Sequence, residues 1–487
     1  MIKRLLGVVL AGIMVLSLIA CGNEEENTES GDEVNRDALA EAYEGIEIQG
    51  VTEDKIYIGN TVSTSGEFAI VGVPFNVGLN AALKVYNDNG GFEGKKVELV
   101  HYDDGFDAEQ GLAYTKKLVE EDKVFALVGH FGTPTVVATL DYITSDSGVP
   151  MIYAVTGCSG LYDGEAEGFK QAVMPIQPIY NTEGCVLLAR AVADIDNGLG
   201  LGGTKIGVIS TTDEAGIGIL EGIKQQEKNI TGVAIQYVTT TADAGANHLV
   251  AVNTLKDGGC DVIIVAANQT AFGEIMNCMK DAGLDNVKII TSYMSANDAF
   301  LATLPITETR EVYTTAWLDI TSANYVYKPT EDNAIGTYLW ACHKALAETN
   351  GEDTSMYDTG IFGYSEEYWE AAEAICAYDL AVNGAAFTTA FANSYNSYAL
   401  AGYIAGTMFL EGLNRVEEAQ EELTWLNFIK AMESAPVDIP MGGTVNLADG
   451  ARMGTTDFAL NKYDLSSKKL ILYSEILSLE SVKKITN

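Results

Sequence analysis

Two hydrophobic periods alternate along this chain, and the alternation restarts once. Lys55-Ile-Tyr-Ile-Gly59 is a short apolar run of strand type, because β-branched and aromatic side chains bounded by polar ones suit a pleated surface. Pro74 then opens a helical stretch to about Asn89, stopped by Gly90-Gly91. Pro near the start and Gly past the end is the usual helix asymmetry. Lys96 to Tyr102 reads as a strand, Asp107 to about Glu121 as a helix, Val124 to Gly129 as a strand, Pro134 to Asp146 as a helix and Pro150 to Ala154 as a strand. The second round has strands at Lys205–Ser210, Val233–Val238, Asp261–Ala267, Val287–Ser292 and Val312–Ala316, with helices near 214–228, 244–257 and 270–282. Short apolar strands alternating with helices predict βαβ units, so the fold class is α/β with two parallel-sheet lobes in succession.

The pattern changes after the second round. Residues from about 325 to 425 read as mainly helical and aromatic, and Tyr395-Asn-Ser-Tyr398 leads into an apolar helix ending near Leu413. Its apolar core, Tyr398 to Leu410, is shorter than the about 20 residues a membrane span needs and contains glycine, so a buried helix is expected. Tyr357 to Trp369, with Glu366, Glu367 and Glu370, reads as an added helix with a solvated face. Gly442-Gly443-Thr444 onward reads as a strand and a turn, and Phe458–Leu460 and Leu470–Tyr473 as further strands.

Length and charge narrow the picture. The chain has 487 residues, and one core rarely grows past about 250–300, which also demands more than one lobe. The formal net charge is −39. Such a surface repels phosphate backbones and anionic bilayers, so nucleic acid is not an expected partner. At the N-terminus Lys3 and Arg4 precede an apolar run from Leu5 to Ile19, a secretory signal pattern. Leu18-Ile19-Ala20-Cys21 resembles the bacterial lipobox, which implies cleavage before Cys21 and lipidation of its thiol. The segment 21–50, rich in Glu24, Glu25, Glu26, Glu29, Asp32, Glu33 and Asp37, reads as a disordered acidic tether between membrane and folded body.

Chemistry of turnover finds little support. The 4 histidines form no H-E-x-x-H, and no cysteines lie in C-x-x-C spacing, so neither a metal nor any other cofactor is expected. Thr156-Gly-Cys-Ser-Gly160 has the composition of a nucleophile elbow in the wrong order. Gly198-Leu-Gly200-Leu-Gly-Gly203 matches G-x-G-x-x-G but precedes a strand instead of following one, so it reads as a loop. Gly203-Thr-Lys205 lacks P-loop order. The chain is therefore not expected to be an enzyme. Cys158 and Cys185 flank a turn-rich segment and are a candidate disulfide, with buried thiols as the alternative.

The most informative stretch is Val128-Gly129-His130-Phe131-Gly132-Thr133-Pro134. Thr133 as N-cap and Pro134 as N1 would start a helix at the C-terminal end of a parallel strand. Unpaired N–H groups and the positive end of the helix dipole favour an anion there. A cap without a ligand is the plainer possibility.

Its surroundings resemble the type 1 periplasmic-binding fold, in the branch of substrate-binding proteins for branched-chain amino acids. The resemblance runs through Ser63-Thr-Ser-Gly66, Gly72, Gly78, Asn89-Gly-Gly-Phe-Glu-Gly94, Val97 to Asp104, Asp107-Ala-Glu-Gln110, the Val128–Thr133 turn and Gly148-Val-Pro-Met-Ile152. It implies two Rossmann-like parallel-sheet lobes joined by a three-strand hinge and closing on a small ligand. The implied organisation is signal 1–20, tether 21–50, first lobe 51–172, second lobe 173–320, first lobe again 321–430 with an added helical insertion, and second lobe and hinge 431–487. By motif, Thr133 with Gly132 falls where the family holds the ligand carboxylate. Ala154 and Thr156 fall where backbone and hydroxyl groups complete that site, and Phe68 and Val71 would line the side-chain pocket.

The second half departs from the amino-acid pattern. Asp213-Glu-Ala215-Gly216 lacks the aromatic lid, Asn268-Gln269 stands where an aromatic is frequent, and Tyr293, with Asp298 nearby, falls where an acid holds the ammonium. An amide, a small carboxylate or an altered amino acid fits as well as a branched-chain one. The resemblance implies a lipid-anchored, extracytoplasmic monomer that hands its solute to an ABC permease and ATPase on other chains. The alternative is a ligand-sensing receptor on the same fold, coupled to a membrane signalling partner.

Overall fold

Strands β1 (Lys55–Thr61) and β2 (Lys96–Tyr102) pair in parallel along their full length, Lys55 opposite Lys96 and Thr61 opposite Tyr102. In this computed structural model they open a sheet of order β2-β1-β3-β4-β5, with β3 at Ala126–Val128, β4 at Met151–Ile152 and β5 at Val173–Met174. The structure describes residues 36–319 apart from 67, 197 and 244, and 333–484 apart from 351–353, 356 and 358–363; all counts refer to these. Ile56, Ile58 and Ala126 to Val128 have no exposed surface, as expected of a parallel sheet covered on both faces.

The second sheet has the order β14-β13-β10-β9-β8-β6-β7. Its parallel strands are β6 (Lys205–Thr211), β7 (Ala234–Thr240), β8 (Val262–Ala266), β9 (Val287–Thr291) and β10 (Arg310–Ala316). A short hairpin, β11 (Val437–Asp438) and β12 (Thr444–Val445), comes next in the chain. Then β13 (Asp457–Asp464) and β14 (Lys469–Ser478) add antiparallel to the edge of the second sheet. Two α/β lobes thus follow the two rounds read in the sequence.

Helices α1 (Arg36–Ala42), α2 (Ala69–Asp88), α3 (Ala108–Glu120) and α4 (Thr133–Asp141) belong to the first lobe. Helices α5 (Tyr180–Val192), α6 (Glu214–Glu227), α7 (Leu249–Gly258) and α8 (Gln269–Asp281) belong to the second. Helix α2 begins at Ala69, before Pro74, which lies inside it. The proline removes the N–H that would bond the Ile70 carbonyl. Ile70 is at the surface, where that acceptor need not be met within the protein, and the helix continues.

The helix Ser397–Ala419 is buried as expected and returns to the first lobe, backbone to backbone with α2. A Cβ at Gly78 would lie 1.8 Å from the Ala399 carbonyl oxygen, and one at Gly402 would lie 1.9 Å from that of Phe75. Only glycine permits this approach. The helix Glu366–Ala381 begins under a Ser365 cap, buries Tyr368 and Trp369, and exposes Glu366, Glu367 and Glu370. Most of the stretch preceding it, 358–363, lies outside the described residues.

Three sequence expectations need correction. First, 36–50 is not a disordered tether. Leu39 and Tyr43, four apart on one helical face, are buried. The Tyr43 hydroxyl donates to the Gly148 carbonyl at 2.6 Å, and Gln49 Nε2 donates to the Val119 and Val124 carbonyls. A few anchors order a segment that acidic composition alone marks as unable to fold. Cys21, the signal 1–20 and the rest of the tether lie outside the described residues. Second, the lobe boundaries shift. Strand β5 completes the first sheet, so the first crossover follows Met174. Val437, Ile439, Met441 and Val445 sit in the first lobe's core, and the return to the second sheet comes only with β13. Third, Cys158 and Cys185 are not joined: the Cys185 thiol donates to the Gly222 carbonyl at 3.2 Å.

The crossovers run side by side. Thr455 N–H donates to the Ile176 carbonyl at 2.8 Å, and Asp319 N–H donates to the Met441 carbonyl at 2.6 Å.

Candidate functional site

The loops after β3 and β4 are tied together. Val155 N–H donates to the His130 carbonyl at 2.7 Å, Phe131 bridges Val155, and Phe131 N–H reaches the Thr61 carbonyl at 3.1 Å. Gly129 (φ 77°) and Gly132 (φ 98°) make the turn. A Cβ on Gly132 would stand 2.5 Å from the Phe106 ring. The result is that Thr133 and Thr156, on separate loops, place their hydroxyls 2.7 Å apart. Thr156 Oγ1 also accepts from Cys158 N–H at 3.2 Å, and either hydroxyl can be the donor between the two threonines.

Gly132, not Thr133, is the N-cap of α4, and Thr133 is its first helical residue. The cap is shifted by one because Gly132 takes up the left-handed backbone that the close approach of Phe106 requires. The anion-binding logic survives, since the N–H groups of the first turn still lack helical partners. Ala154 is buried beside Thr156, whose N–H donates to the Ala154 carbonyl at 3.0 Å. Phe68 stacks on Phe106 at 3.9 Å between centroids and lies 6.4 Å from Phe131, forming an aromatic wall behind Gly132. Val71 packs into the first lobe's core.

In the second lobe Asp213 and Asn268 cap the neighbouring helices α6 and α8. Asp213 accepts from Gly216 N–H and from the Thr211 hydroxyl, and Asn268 Oδ1 accepts from Ala271 N–H at 2.9 Å. Asn268 Nδ2 reaches Asp213 Oδ2 at 3.4 Å. The two are brought to each other, and their polar atoms serve the caps. Tyr293 is half-buried, with its ring edge-on to Trp317 at 6.4 Å. Desolvation drives its phenol well above the usual tyrosine range, so it remains a neutral hydrogen-bonding group.

The structure adds residues that the sequence reading missed. Tyr153, directly after β4, is buried with φ 53°, a region where a bulky side chain is strained. Its ring lies 6.2 Å from that of Trp317 at the second crossover. In the first turn of α5, Tyr180 is buried with its N–H on the Gly157 carbonyl at 3.0 Å, next to Thr156, and the Thr156 and Thr133 hydroxyls act on its phenol. Glu183, one turn on, is fully buried. It accepts from Ser292 Oγ at 2.8 Å, from Tyr293 N–H at 3.1 Å and from the Thr315 hydroxyl. Desolvation raises its carboxyl to about 7 against the lowering effect of these donors. Pro178 before an apolar run with Glu183 was the available signal. The helix is buried nearly all round, so it lacks the one-sided pattern that marks a surface helix.

Charge divides between the two lobes here. Glu183, Asp213 and Glu214 are carboxyls on the second-lobe side, and Glu214 helps to raise the Cys158 thiol of the first lobe. The first-lobe side offers hydroxyls and helix N–H groups. The arrangement can hold a small solute with its negative end on α4. Burial, with a contribution from Glu214, raises the Cys158 thiol to about 11, so it is no ready nucleophile. Among the described residues no group of three or more His, Cys, Asp or Glu is placed to hold a metal ion.

Comparison with known proteins bears on the family and the fold. Residues 55–325 match the family described as periplasmic binding protein. An "Amino acid binding protein" of Pseudomonas aeruginosa is 26% identical over 238 residues, 47% of this chain and 58% of that one. The chain thus spans little more than half the length of that relative. Among solved structures, a fatty acid ABC transporter substrate-binding protein from Thermomonospora curvata is similar at a TM-score of 0.62 with 17% identity, covering 90% of this chain and 96% of the other. A branched-chain amino acid ABC transporter protein from Thermus thermophilus with bound valine is similar at 0.61 with 12% identity, covering 89% and 99%. At these identities the structures speak for the fold. The matched family consists of binding proteins, not enzymes.

Proposed function

Because the chain belongs to the periplasmic binding protein family, we propose that it captures a small polar solute between its lobes and delivers it to an ABC importer. The permease and ATPase would be other chains. The proposed solute is an amino acid, an amide or a related carboxylate. The family places the protein outside the cytoplasm; anchoring through a lipid on Cys21 is part of the proposal. Mass spectrometry of the membrane-bound protein should find a diacylglyceryl Cys21, and an unmodified thiol there would remove the anchor.

The observation that carries the reading is the pairing of the Thr133 and Thr156 hydroxyls at the start of α4. A carboxylate seated there would accept from hydroxyls and from first-turn N–H groups, which are strong, charge-assisted bonds. Ala154 and Gly132 would shape the seat by their backbone, and Phe68 and Val71 the apolar wall beside it. Tyr293 would contact the far end of the solute. Asp213 and Asn268 would act through the helix starts that they cap.

A thermal-shift screen of amino acids, amides and short organic acids tests this, since a ligand bound only by the folded state raises its melting temperature. Thr133→Ala should weaken calorimetric affinity for any positive compound several-fold while changing stability by only about 1 kcal/mol. An unchanged affinity would take Thr133 out of the site.

A further inference from the structure

We propose that Tyr180 is the second-lobe specificity residue of this site, its phenol completing a three-hydroxyl cradle with Thr133 and Thr156 that selects a carboxylate over an amide. The inference rests on the reading that the two threonines hold the polar end of a solute.

The ring of Tyr180 sits in a slot made by two glycines. A Cβ on Gly157, in the first lobe, would lie 2.7 Å from Tyr180 Cδ1 and Cε1. A Cβ on Gly218, in the second, would lie 3.0 Å from Tyr180 Cβ. Any larger residue at either place would push the ring off the threonines. The slot also answers a departure seen in the sequence. The turn Asp213–Gly216 carries no aromatic, and it has no room for one at Gly216, where a Cβ would lie 2.4 Å from the Thr211 carbonyl oxygen. Helix α5 supplies the aromatic in its place.

Tyr180 is also fixed to the first lobe. Its N–H donates to the Gly157 carbonyl at 3.0 Å, directly after the first crossover.

The cradle counts protons. Each hydroxyl has one to give; Thr133 and Thr156, 2.7 Å apart, hold one of theirs between them, and a ligand that accepts from both would take it over. A carboxylate has two oxygens with about four acceptor sites and can take all three O–H donors together with an α4 N–H. An amide offers a single oxygen, and its NH₂ group needs acceptors. Loss of one donor should therefore cost a carboxylate more than its amide.

The test compares wild type, Tyr180→Phe, Gly157→Ala and Thr133→Ala by calorimetry. The probes are the standard L-amino acids, their carboxamides and linear monocarboxylates of two to six carbons, restricted to those that stabilise wild type. Y180F should lose about tenfold or more for a carboxylate and about threefold or less for its amide, as expected for a hydrogen bond to a charged group. G157A, which keeps the hydroxyl but displaces the ring, should show the same selective loss. If T133A weakens binding while Y180F and G157A leave the carboxylate-to-amide ratio unchanged, this inference falls and the site stands. If no probe stabilises wild type, or T133A is without effect, the site reading falls and takes the inference with it.

Discussion

Replacing Glu183 by Gln removes a proton that titrates differently in the folded and unfolded chain. In the fold the carboxyl is fully buried, and its pKa is raised from 4.5 to about 7, chiefly by desolvation. The sign follows from linkage. Below the unfolded pKa both states hold the proton and Glu183 adds no pH dependence. Between the two values the unfolded chain ionises while the fold keeps its proton, so stability falls as pH rises. Above about 7 both are ionised and the penalty is constant. At about 1.4 kcal/mol per pKa unit the full loss is about 3 kcal/mol.

Gln keeps the size of Glu and, with its oxygen in the place of Oε1, an acceptor for Tyr293 N–H and the Thr315 hydroxyl, while the Ser292 hydroxyl can turn to accept from its NH₂ group. Any misfit is a constant offset, independent of pH. The assay is urea unfolding of both proteins from pH 4.5 to pH 8. The difference in unfolding free energy, wild type minus E183Q, should fall by about 3 kcal/mol across that window. Titration of the other carboxylates cancels in the difference. Parallel curves would refute the buried-carboxyl argument, and a difference that rises with pH would mean that Glu183 is held ionised.

Other consequences can be checked by similar means. Gly402→Val should destabilise the first lobe by about 3 kcal/mol or more, because its Cβ would lie 1.9 Å from the Phe75 carbonyl oxygen; an unshifted urea midpoint would deny the backbone contact. Leu39→Ala should cost about 2–3 kcal/mol if α1 is an integral part of the first lobe; no change in melting temperature would return that segment to a loose tether. Tyr293→Leu should alter the rank order of ligands in the thermal-shift screen, and an identical profile would remove Tyr293 from contact with the solute.

What could be read in the sequence follows from how local each cause is. Strand β2 lies where the apolar run Lys96 to Tyr102 placed it, and the caps Asp107, Asp213 and Asn268 mark helix starts within a few residues of themselves. Thr133 and Thr156 were visible because each follows a strand end, and the two strands are neighbours in the sheet. The remainder depended on distant partners. Ser292 and Thr315, which hold Glu183, lie 109 and 132 residues away from it. Tyr180 becomes a site residue only through Gly157 and Gly218, whose spacing carries no period. Helix Ser397–Ala419 reads simply as apolar; its place against α2 depends on two glycines more than 300 residues apart.

The first turn of α5 joins what these distances separate. Through Tyr180 it touches Gly157, which precedes the first crossover, and the hydroxyls on the first lobe. Through Glu183 it holds the Tyr293 backbone and Thr315, the latter two residues before Trp317 at the second crossover. A ligand can shift an open–closed balance only by contacts that differ between the two states. On the proposed reading, contacts at Thr133 would belong to one lobe and would supply affinity without closure. Tyr293, beside Trp317 at the second crossover, would on that reading supply the contact that differs between the open and closed states. Glu183 fixes the loop bearing Tyr293 to the strand that enters the second crossover. On the proposed reading, bending there would move the ligand's far contact, and this physical link would make binding and lobe rotation one event instead of two.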